Sequence, residues 1–329
     1  MTRRRTLMAA TAVLVAPPIL RAQPAAKVHR IGLLAINPPA PQSTVWVAFI
    51  DELRQRGYVE GQNLLIEGRH ASGDTARLDA LALELVALRV DAIFTMSGTF
   101  GALAAKRATS TIPIVMFTAA DPVASGLVTS LARPGGNVTG NSIQGLVLGL
   151  KRFEILAEVV GKPARLAYLA RASVSTLPTF ESYGRDLASG ARALGVELLP
   201  VRVRADAELA PTFEAMRRDR VDGVVVDNFG FFTLYRTIAE LAISHQLATI
   251  AEGKAFAEAG GLMAYGVNYD DLARRAAAYL DKIFRGTKAA ELPVEQASKF
   301  DLILNLKTAK ALGLTIPQSL RLRADEVIQ

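Results

Sequence analysis

The chain has 329 residues, of which 50% are hydrophobic and 21% are charged, and it contains no cysteine. This composition excludes an intrinsically disordered chain and a disulfide-stapled fold, and the length is sufficient for two compact units with separate cores. The formal net charge of +7 includes four arginines in the first 22 residues, and the remaining bases are scattered, so nucleic acid is not expected as a partner.

The first 22 residues are predicted to be a cleaved signal peptide. Arginines at 3–5 precede an apolar stretch at 7–20, and small residues surround Ala22, in the order of an export signal. Two prolines interrupt the apolar stretch, which is short for a spanning helix, so a membrane anchor is the weaker interpretation. The Sec and twin-arginine routes both fit. Since the chain lacks a cysteine for acylation, we expect a free periplasmic protein and not a lipoprotein.

In the first half of the chain, short apolar runs alternate with segments of helical periodicity. The run at 30–36 is predicted to be a buried strand, and apolar residues at Val47, Ile50 and Leu53 predict a helix that ends at Gly57. The elements predicted next are a strand at 63–71, a helix at 78–88, a strand at 90–96, a helix near 101–108 and a strand at 112–117.

The same order recurs in the second half. The predicted elements there are strands at 165–170, 196–203, 221–226 and 248–253, with helices at 183–194, 209–218 and 234–245 between them. Strands that alternate with amphipathic helices are typical of an α/β, doubly wound parallel sheet. Because the pattern occurs twice, we expect two such lobes that face each other across a ligand cleft.

Two segments near the middle of the chain have alternative interpretations. Asp121 precedes Pro122, which predicts an N-cap for a helix at 123–131, while a ligand contact and, less well supported, a catalytic role are alternatives. The segment 132–142 contains Pro-Gly-Gly and is predicted to be a hinge strand between the lobes. The alternative for that segment is a surface turn inside one domain.

Ligands of open parallel sheets bind beyond the carboxyl ends of the strands, so the residues after each predicted strand are candidate ligand contacts. In sequence order they are Asn37, Ser97, Gly98, Thr99, Phe100, Thr118, Ala120, Asp121, Asp227, Asn228, Phe229 and Glu252. Hydroxyls and backbone N–H groups at helix N-termini suit a carboxylate, and Asp227 and Glu252 suit an α-ammonium group. This combination fits an amino acid; if the two acids point elsewhere, a plain organic or aromatic acid fits better.

Aromatic residues also fall near the predicted strand ends. They are Phe100, Phe229, Phe231, Tyr265 and Tyr269. Rings of this kind could stack on an aromatic ligand. The alternative is that rings such as Phe231 and Phe232 pack a helix onto the sheet.

Catalytic and cofactor motifs are missing from the sequence. His29, His70 and His245 have no metal-ligand spacing. The nucleophile elbow, the phosphate-binding loop and the dinucleotide fingerprint are also absent. We therefore expect a binding protein with no cofactor, no metal ion and no catalytic residue.

Four ordered stretches carry a family resemblance. They are GYVEGQNLLIEGRHASGD (57–74), IPIVMFTAADPVASGLVTSLARPGGNVTG (112–140), AGGLMAYGVNYDDLARRAAAYLDKIFRGTKAAELPVEQ (259–296) and KFDLILNLKTAKALGLTIPQSLRLRADEVI (299–328). With them, residues 28–329 resemble the substrate-binding proteins of ABC transporters, in the family that includes tryptophan- and tyrosine-type binding proteins and is related to type I periplasmic binding proteins.

The resemblance implies an architecture in which two lobes are joined by three crossover strands. Lobe 1 would comprise 28–140 and 267–294, and lobe 2 would comprise 141–266 and 295–329. The helix at 271–284 would then lie on lobe 1. The resemblance also adds Asn268 to the candidate ligand residues.

The function implied is that of the periplasmic solute-binding component of an ABC importer. Such a protein, expected to be a monomer, captures a small carboxylate-bearing ligand by lobe closure and delivers it to a permease and ATPase in the inner membrane. The ligand would be an aromatic or other amino acid, or an aromatic or organic acid. The alternatives are a ligand-sensing periplasmic domain for a membrane receptor and, less well supported, an α/β hydrolase.

Overall fold

The structure is a computed structural model that describes residues 27–172, 178–227 and 230–329, without the side chains of 178–180. The predicted signal peptide therefore lies outside the described residues. Within these ranges, each helix is too short or too polar to span a bilayer.

The first sheet has six strands, all paired in parallel. Its spatial order is β11-β5-β4-β3-β1-β2. The strands are β1 (His29–Ala35), β2 (Leu64–His70), β3 (Ala92–Thr95), β4 (Ile114–Met116), β5 (Val138–Ser142) and β11 (Glu295–Gln296). Four helices belong with this sheet: α1 (Thr44–Gln55), α2 (Leu78–Ala87), α3 (Gly98–Ala108) and α9 (Tyr269–Phe284).

Helices cover both faces of the first sheet because its strands are apolar on both faces. Leu33 and Phe94 pack into one buried cluster with residues of α1 and α9. Leu34 and Ile93, their neighbours along the strands, pack into a second cluster with residues of α2 and α3. Successive side chains of a strand point to opposite faces, so continuous apolar runs produce this layered arrangement.

The second sheet has seven strands in the order β13-β12-β10-β9-β8-β6-β7. These strands are β6 (Ala164–Arg171), β7 (Val196–Val203), β8 (Gly223–Val226), β9 (Ala248–Ala251), β10 (Met263–Val267), β12 (Phe300–Asn305) and β13 (Glu326–Ile328). The helices that precede or connect these strands are α4 (Gly145–Val160), α5 (Pro178–Ala193), α6 (Leu209–Arg218), α7 (Tyr235–Ser244), α8 (Lys254–Glu258), α10 (Leu306–Ala311) and α11 (Gln318–Arg323).

One pair in the second sheet departs from the predicted parallel arrangement, since β12 is antiparallel to β10. The chain leaves β10 at its carboxyl end, passes through α9 and β11 beside the first sheet, and returns at the same edge. The returning strand must therefore run in the opposite direction. The two sheets are mostly parallel, and the fold is the predicted two-lobed α/β architecture.

Three connections link the two sheets, at 143–144, at Asn268 and at 297–299. The first lies beyond the predicted hinge strand, because Val138–Ser142 is the buried strand β5 of the first sheet. The predicted lobe boundary at Gly140 therefore falls inside a strand. Gly140 has φ +128°, and an added Cβ would lie 2.3 Å from the carbonyl oxygen of Met116.

The helix predicted at 123–131 is wrong, because the chain forms a series of turns there. The Oδ1 atom of Asp121 accepts bonds from the N–H groups of Val123 (3.1 Å) and Ala124 (2.9 Å), as an N-cap would. The helical ladder then stops, since the N–H groups of Leu127 and Val128 both bond to the carbonyl of Pro122.

Candidate functional site

The candidate site lies where the carboxyl ends of strands from the two sheets face the connections between them. In the first sheet, β1, β3 and β4 end at this edge. In the second sheet, β6, β8 and β9 end at the corresponding edge. Because neighbouring parallel strands end on the same side, residues distant in sequence come together at each edge.

The N-terminus of α3 forms part of the site on the first sheet. It begins at Gly98 and not near 101, so Gly98, Thr99 and Phe100 form its first turn instead of a loop. Gly98 has φ 56°, which glycine adopts without strain. First-turn N–H groups have no acceptor within their own helix and, with the helix dipole, favour an anion.

Two hydroxyl groups near this helix are buried. Ser97 is 1% exposed, and its Oγ lies 3.4 Å from the carbonyl oxygen of Leu34 at the end of β1. Thr99 is 8% exposed, and its Oγ1 accepts a bond of 3.3 Å from the N–H of Ala120. This hydrogen bond connects the segment after β3 to the segment after β4.

The remaining candidates on the first sheet differ in exposure. Thr118 is buried after β4, and the carbonyl of Ala120 accepts a bond of 3.1 Å from the N–H of Gly145 at the start of α4. Asn37 and Asp121 are exposed. Asp121 caps the turn that follows it, so the structure gives it a local role.

Glu252 follows β9 and contacts two neighbouring side chains. Its side chain is 10% exposed, and its Oε1 accepts a bond of 2.8 Å from the hydroxyl of Tyr269. Its Oε2 lies 3.6 Å from Nη1 of Arg152. Asp227 follows β8, donates its backbone N–H to Leu169 and interacts with the hydroxyl of Tyr168. Asn228 and Phe229, which were also predicted, lie outside the described residues.

Arg152 was not among the candidates predicted from the sequence, and the helix that carries it, α4, was not predicted either. Its side chain is 7% exposed, and its Nη1 donates a bond of 3.3 Å to the carbonyl of Tyr265. Its Nε is buried and has no hydrogen-bond partner among the described residues. One sequence signal could have found it: Arg152 stands at helical spacing between the apolar residues Leu148 and Leu156, on the face that packs inward.

Four tyrosines interact with these charges: Tyr235 is buried, and Tyr168, Tyr183 and Tyr269 are partly buried. Burial raises the pKa of each phenol above its ordinary value, and the nearby carboxylates of Asp227 and Glu252 raise these pKa values further. For Arg152, burial lowers the pKa, but the Glu252 carboxylate and the tyrosines outweigh it and the net pKa is raised. The cluster therefore contains neutral phenols, one cation and two acids.

The other predicted aromatic residues have different surroundings. Phe231 is fully buried in the core of the second lobe, beneath the guanidinium of Arg171, so the core-packing alternative holds for it, whereas Phe232 is 59% exposed. Tyr265 stacks on Phe300. Tyr269 packs against Phe117, which follows β4, with ring centroids 5.8 Å apart, so this tyrosine contacts both edges.

Asn268 occupies the second connection between the sheets and serves as a helix cap. Its Oδ1 accepts a bond of 2.9 Å from the N–H of Asp271 at the start of α9. Its Nδ2 donates a bond of 3.0 Å to Asp301. Both ends of the amide are engaged within the protein, so its predicted contact with ligand has no support in this geometry.

Comparisons with known proteins agree with this architecture. The family model described as ABC transporter substrate binding protein matches residues 36–328. The tyrosine-binding protein of Clostridioides difficile is 27% identical over 270 residues, which cover 81% of this chain and 75% of the relative. An ABC domain from Streptococcus pneumonia, solved in complex with L-Trp, is 25% identical with a TM-score of 0.79, covering 91% of this chain and 99% of its own. A conserved domain protein from Vibrio cholerae has a TM-score of 0.81 at 23% identity, covering 92% of this chain and 100% of its own.

Proposed function

The chain belongs to the ABC transporter substrate-binding protein family, whose members bind ligands and are not enzymes, and we propose that it binds an aromatic α-amino acid between its lobes. In this proposal the protein is the periplasmic component of an importer. It delivers its ligand to a permease and ATPase in the inner membrane. The charges at the site limit the chemistry of this ligand.

The observation that carries the proposal is that Glu252 and Asp227 follow strands of the second sheet, whereas the N-terminus of α3 follows a strand of the first sheet. The two acids follow neighbouring strands of the second sheet, β9 and β8. The first turn of α3, with the hydroxyls of Ser97 and Thr99, lies at the edge of the first sheet. A zwitterion fits such an arrangement, with its ammonium group at the acids and its carboxylate at the helix N-terminus.

The charge balance of the second lobe supports a ligand with an amino group. Arg152 offsets one of the two acids, and the surrounding tyrosines are neutral at physiological pH, since burial moves their pKa values still further above it. The formal charges of Arg152, Asp227 and Glu252 then sum to one negative charge. A ligand that brings one positive charge balances this sum.

The relatives support an aromatic side chain on this amino acid. The Clostridioides difficile relative is named a tyrosine-binding protein, and the Streptococcus pneumonia structure contains L-Trp. In this chain, Tyr269 bonds to Glu252 through its hydroxyl, and its ring packs against Phe117. Offset or edge contacts with such rings would favour an aromatic ligand.

Lobe closure follows from the proposal, because the ligand's two charged groups require partners on different lobes. A ligand that contacts one lobe alone has no differential affinity for the closed state. A shift from about 1:99 to 99:1 in favour of closure requires roughly 5.5 kcal/mol of differential binding. The carboxylate and ammonium contacts together are of the right magnitude, at about 1.5–3 kcal/mol each.

The test is titration calorimetry of the mature protein with L-tryptophan, L-tyrosine and analogues that lack one charged group. Indole-3-propionate lacks the ammonium group, and tryptamine lacks the carboxylate. We expect one of the amino acids to bind, and each of its analogues to bind at least about tenfold more weakly. An analogue without the ammonium group that binds as tightly as its parent would contradict the assignment of the acids. Failure of both amino acids would contradict the proposed ligand class.

A further inference from the structure

The side chains of Arg152 and Glu252 form an ion pair without a hydrogen bond, and this geometry bears on how the site selects its ligand. The 3.6 Å between Nη1 and Oε2 is an ion-pair distance that is too long for a hydrogen bond. The same nitrogen donates its bond to the carbonyl of Tyr265 instead. The other carboxylate oxygen, Oε1, accepts the bond from Tyr269. In the described part of the chain, Oε2 therefore has a nearby positive charge but no donor.

Both side chains are shielded from water, so this charge contact is weakly screened. Arg152 is 7% exposed and Glu252 is 10% exposed. The ionisable residues around them are Tyr168 of β6, Tyr183 of α5, Asp227 after β8, Tyr235 of α7, Tyr265 of β10 and Tyr269 of α9. Residues 173–177 and 228–229 have no ionisable side chain. The formal charges of this set are one positive and two negative.

We propose that Arg152 is a positioning residue that balances the charge of Glu252 without occupying Oε2, and that it thereby sets the preference of the site for a ligand with one positive charge at its amino end. The inference rests on the proposed function and deepens it. Its structural basis is that the two oxygens of Glu252 have different neighbours. Tyr269 bonds to Oε1 and orients the carboxylate, whereas Arg152 places a positive charge near Oε2 without a hydrogen bond. The lone pairs of Oε2 stay available for an ammonium group.

The proposal has a specific consequence for the protein without Arg152. Glu252 and Asp227 would then lose the charge of Arg152, and repulsion between two carboxylates in a desolvated site favours uptake of a proton by one of them. An amine ligand would have to displace that proton. Binding would therefore become dependent on pH, whereas the native protein should bind almost equally well across the same range.

The test compares four proteins by calorimetry with whichever of L-tryptophan and L-tyrosine binds. They are the native protein, Arg152→Met, Arg152→Lys and Lys151→Met. Lys151 is the matched control, because it is the neighbouring cation of α4 and pairs with Glu154 at the surface. We expect the ratio of Kd for Arg152→Met to the native Kd to fall at least about tenfold between about pH 5.5 and pH 8. Arg152→Lys should restore the native profile, and Lys151→Met should follow it.

Two further measurements separate charge balance from packing. In buffers of different ionisation enthalpy, Arg152→Met should release a proton on binding at about pH 6, and the native protein should release almost none. Without ligand, the melting temperature of Arg152→Met should fall further below the native value as the pH rises, because a carboxyl that favours its proton in the folded state destabilises that state when it ionises. The double variant Arg152→Met/Glu252→Gln should show neither effect.

The possible outcomes separate this inference from the proposed function. A pH-independent loss of affinity in Arg152→Met would overturn the charge-balance role while the ligand class stands. Native protein that binds neither amino acid would overturn the proposed function, and the pH dependence of the melting temperatures would still decide the role of Arg152. If Arg152→Met fails to fold, folding of the double variant would support the proposal, and failure of both would assign Arg152 to packing.

Discussion

Replacing Glu252 by glutamine is expected to weaken amino-acid binding through the ammonium group alone. The amide has nearly the shape of the carboxylate, and it can still accept the 2.8 Å bond from Tyr269. It cannot offer a negative charge to the ligand or to Arg152, which lies 3.6 Å away. The substitution therefore removes one charge while the shape of the site stays almost the same.

The size of the effect follows from the interaction that is lost. A hydrogen bond to a charged group contributes about 1.5–3 kcal/mol, and each 1.4 kcal/mol corresponds to about a tenfold change in Kd. We therefore expect affinity for L-tryptophan or L-tyrosine to fall by about 10- to 150-fold. Stability should fall, because the buried Arg152 guanidinium loses the carboxylate that lies 3.6 Å from it.

The assay is titration calorimetry at neutral pH, in which the native protein and Glu252→Gln are each titrated with the amino acid and with its analogue that lacks the ammonium group. Glu252→Gln should lose affinity for the amino acid but change its affinity for the matching propionate, which has no ammonium group, by less than about threefold. Glu258→Gln is the matched control, since Glu258 lies in the adjacent helix α8 with a side chain that is 54% exposed. An equal loss for both ligands would refute the reasoning, because the effect would then come from altered structure and not from a lost charge contact.

Three other substitutions test the fold and the predicted cap. Asp281→Ala should lower stability by about 1–3 kcal/mol at pH 7 in urea unfolding. Burial raises the pKa of Asp281, but hydrogen bonds from Arg285, Tyr58 and Arg56 outweigh burial and lower the net pKa. The contribution of Asp281 to stability is therefore present above about pH 4 and is lost as the pH falls through the folded-state pKa. Gly140→Ala should lower the melting temperature strongly, since its Cβ would lie 2.3 Å from a carbonyl oxygen; a variant that melts within about two degrees of the native protein would show that β5 can shift. Asp121→Ala should leave Kd unchanged in calorimetry because its carboxylate caps a turn, and a loss of about tenfold or more would place it in contact with the ligand.

Much of the fold is encoded locally and can be predicted from the sequence. Short continuous apolar runs and amphipathic runs with helical period identify the repeated βα units, because a strand buried on both faces and a helix buried on one face require those patterns. The rule that ligands bind beyond the carboxyl ends of parallel strands then selects Ser97, Thr99, Asp227 and Glu252 as candidates, and the structure places them at those ends. Asp121 was selected by the same rule, but its side chain is engaged in a local cap.

Tertiary structure alone decided the features that depend on distant pairing. The direction of β12 follows from the edge at which the chain returns, which no local pattern specifies. The turns after Asp121 replace a helix because Leu127 and Val128 bond back to Pro122. The pairing of Arg152 with Glu252 joins α4 to the end of β9. The sequence by itself determined which residues are buried or polar along each element, but packing determined which charges meet, because electrostatic contacts depend on distance in space and on exclusion of water.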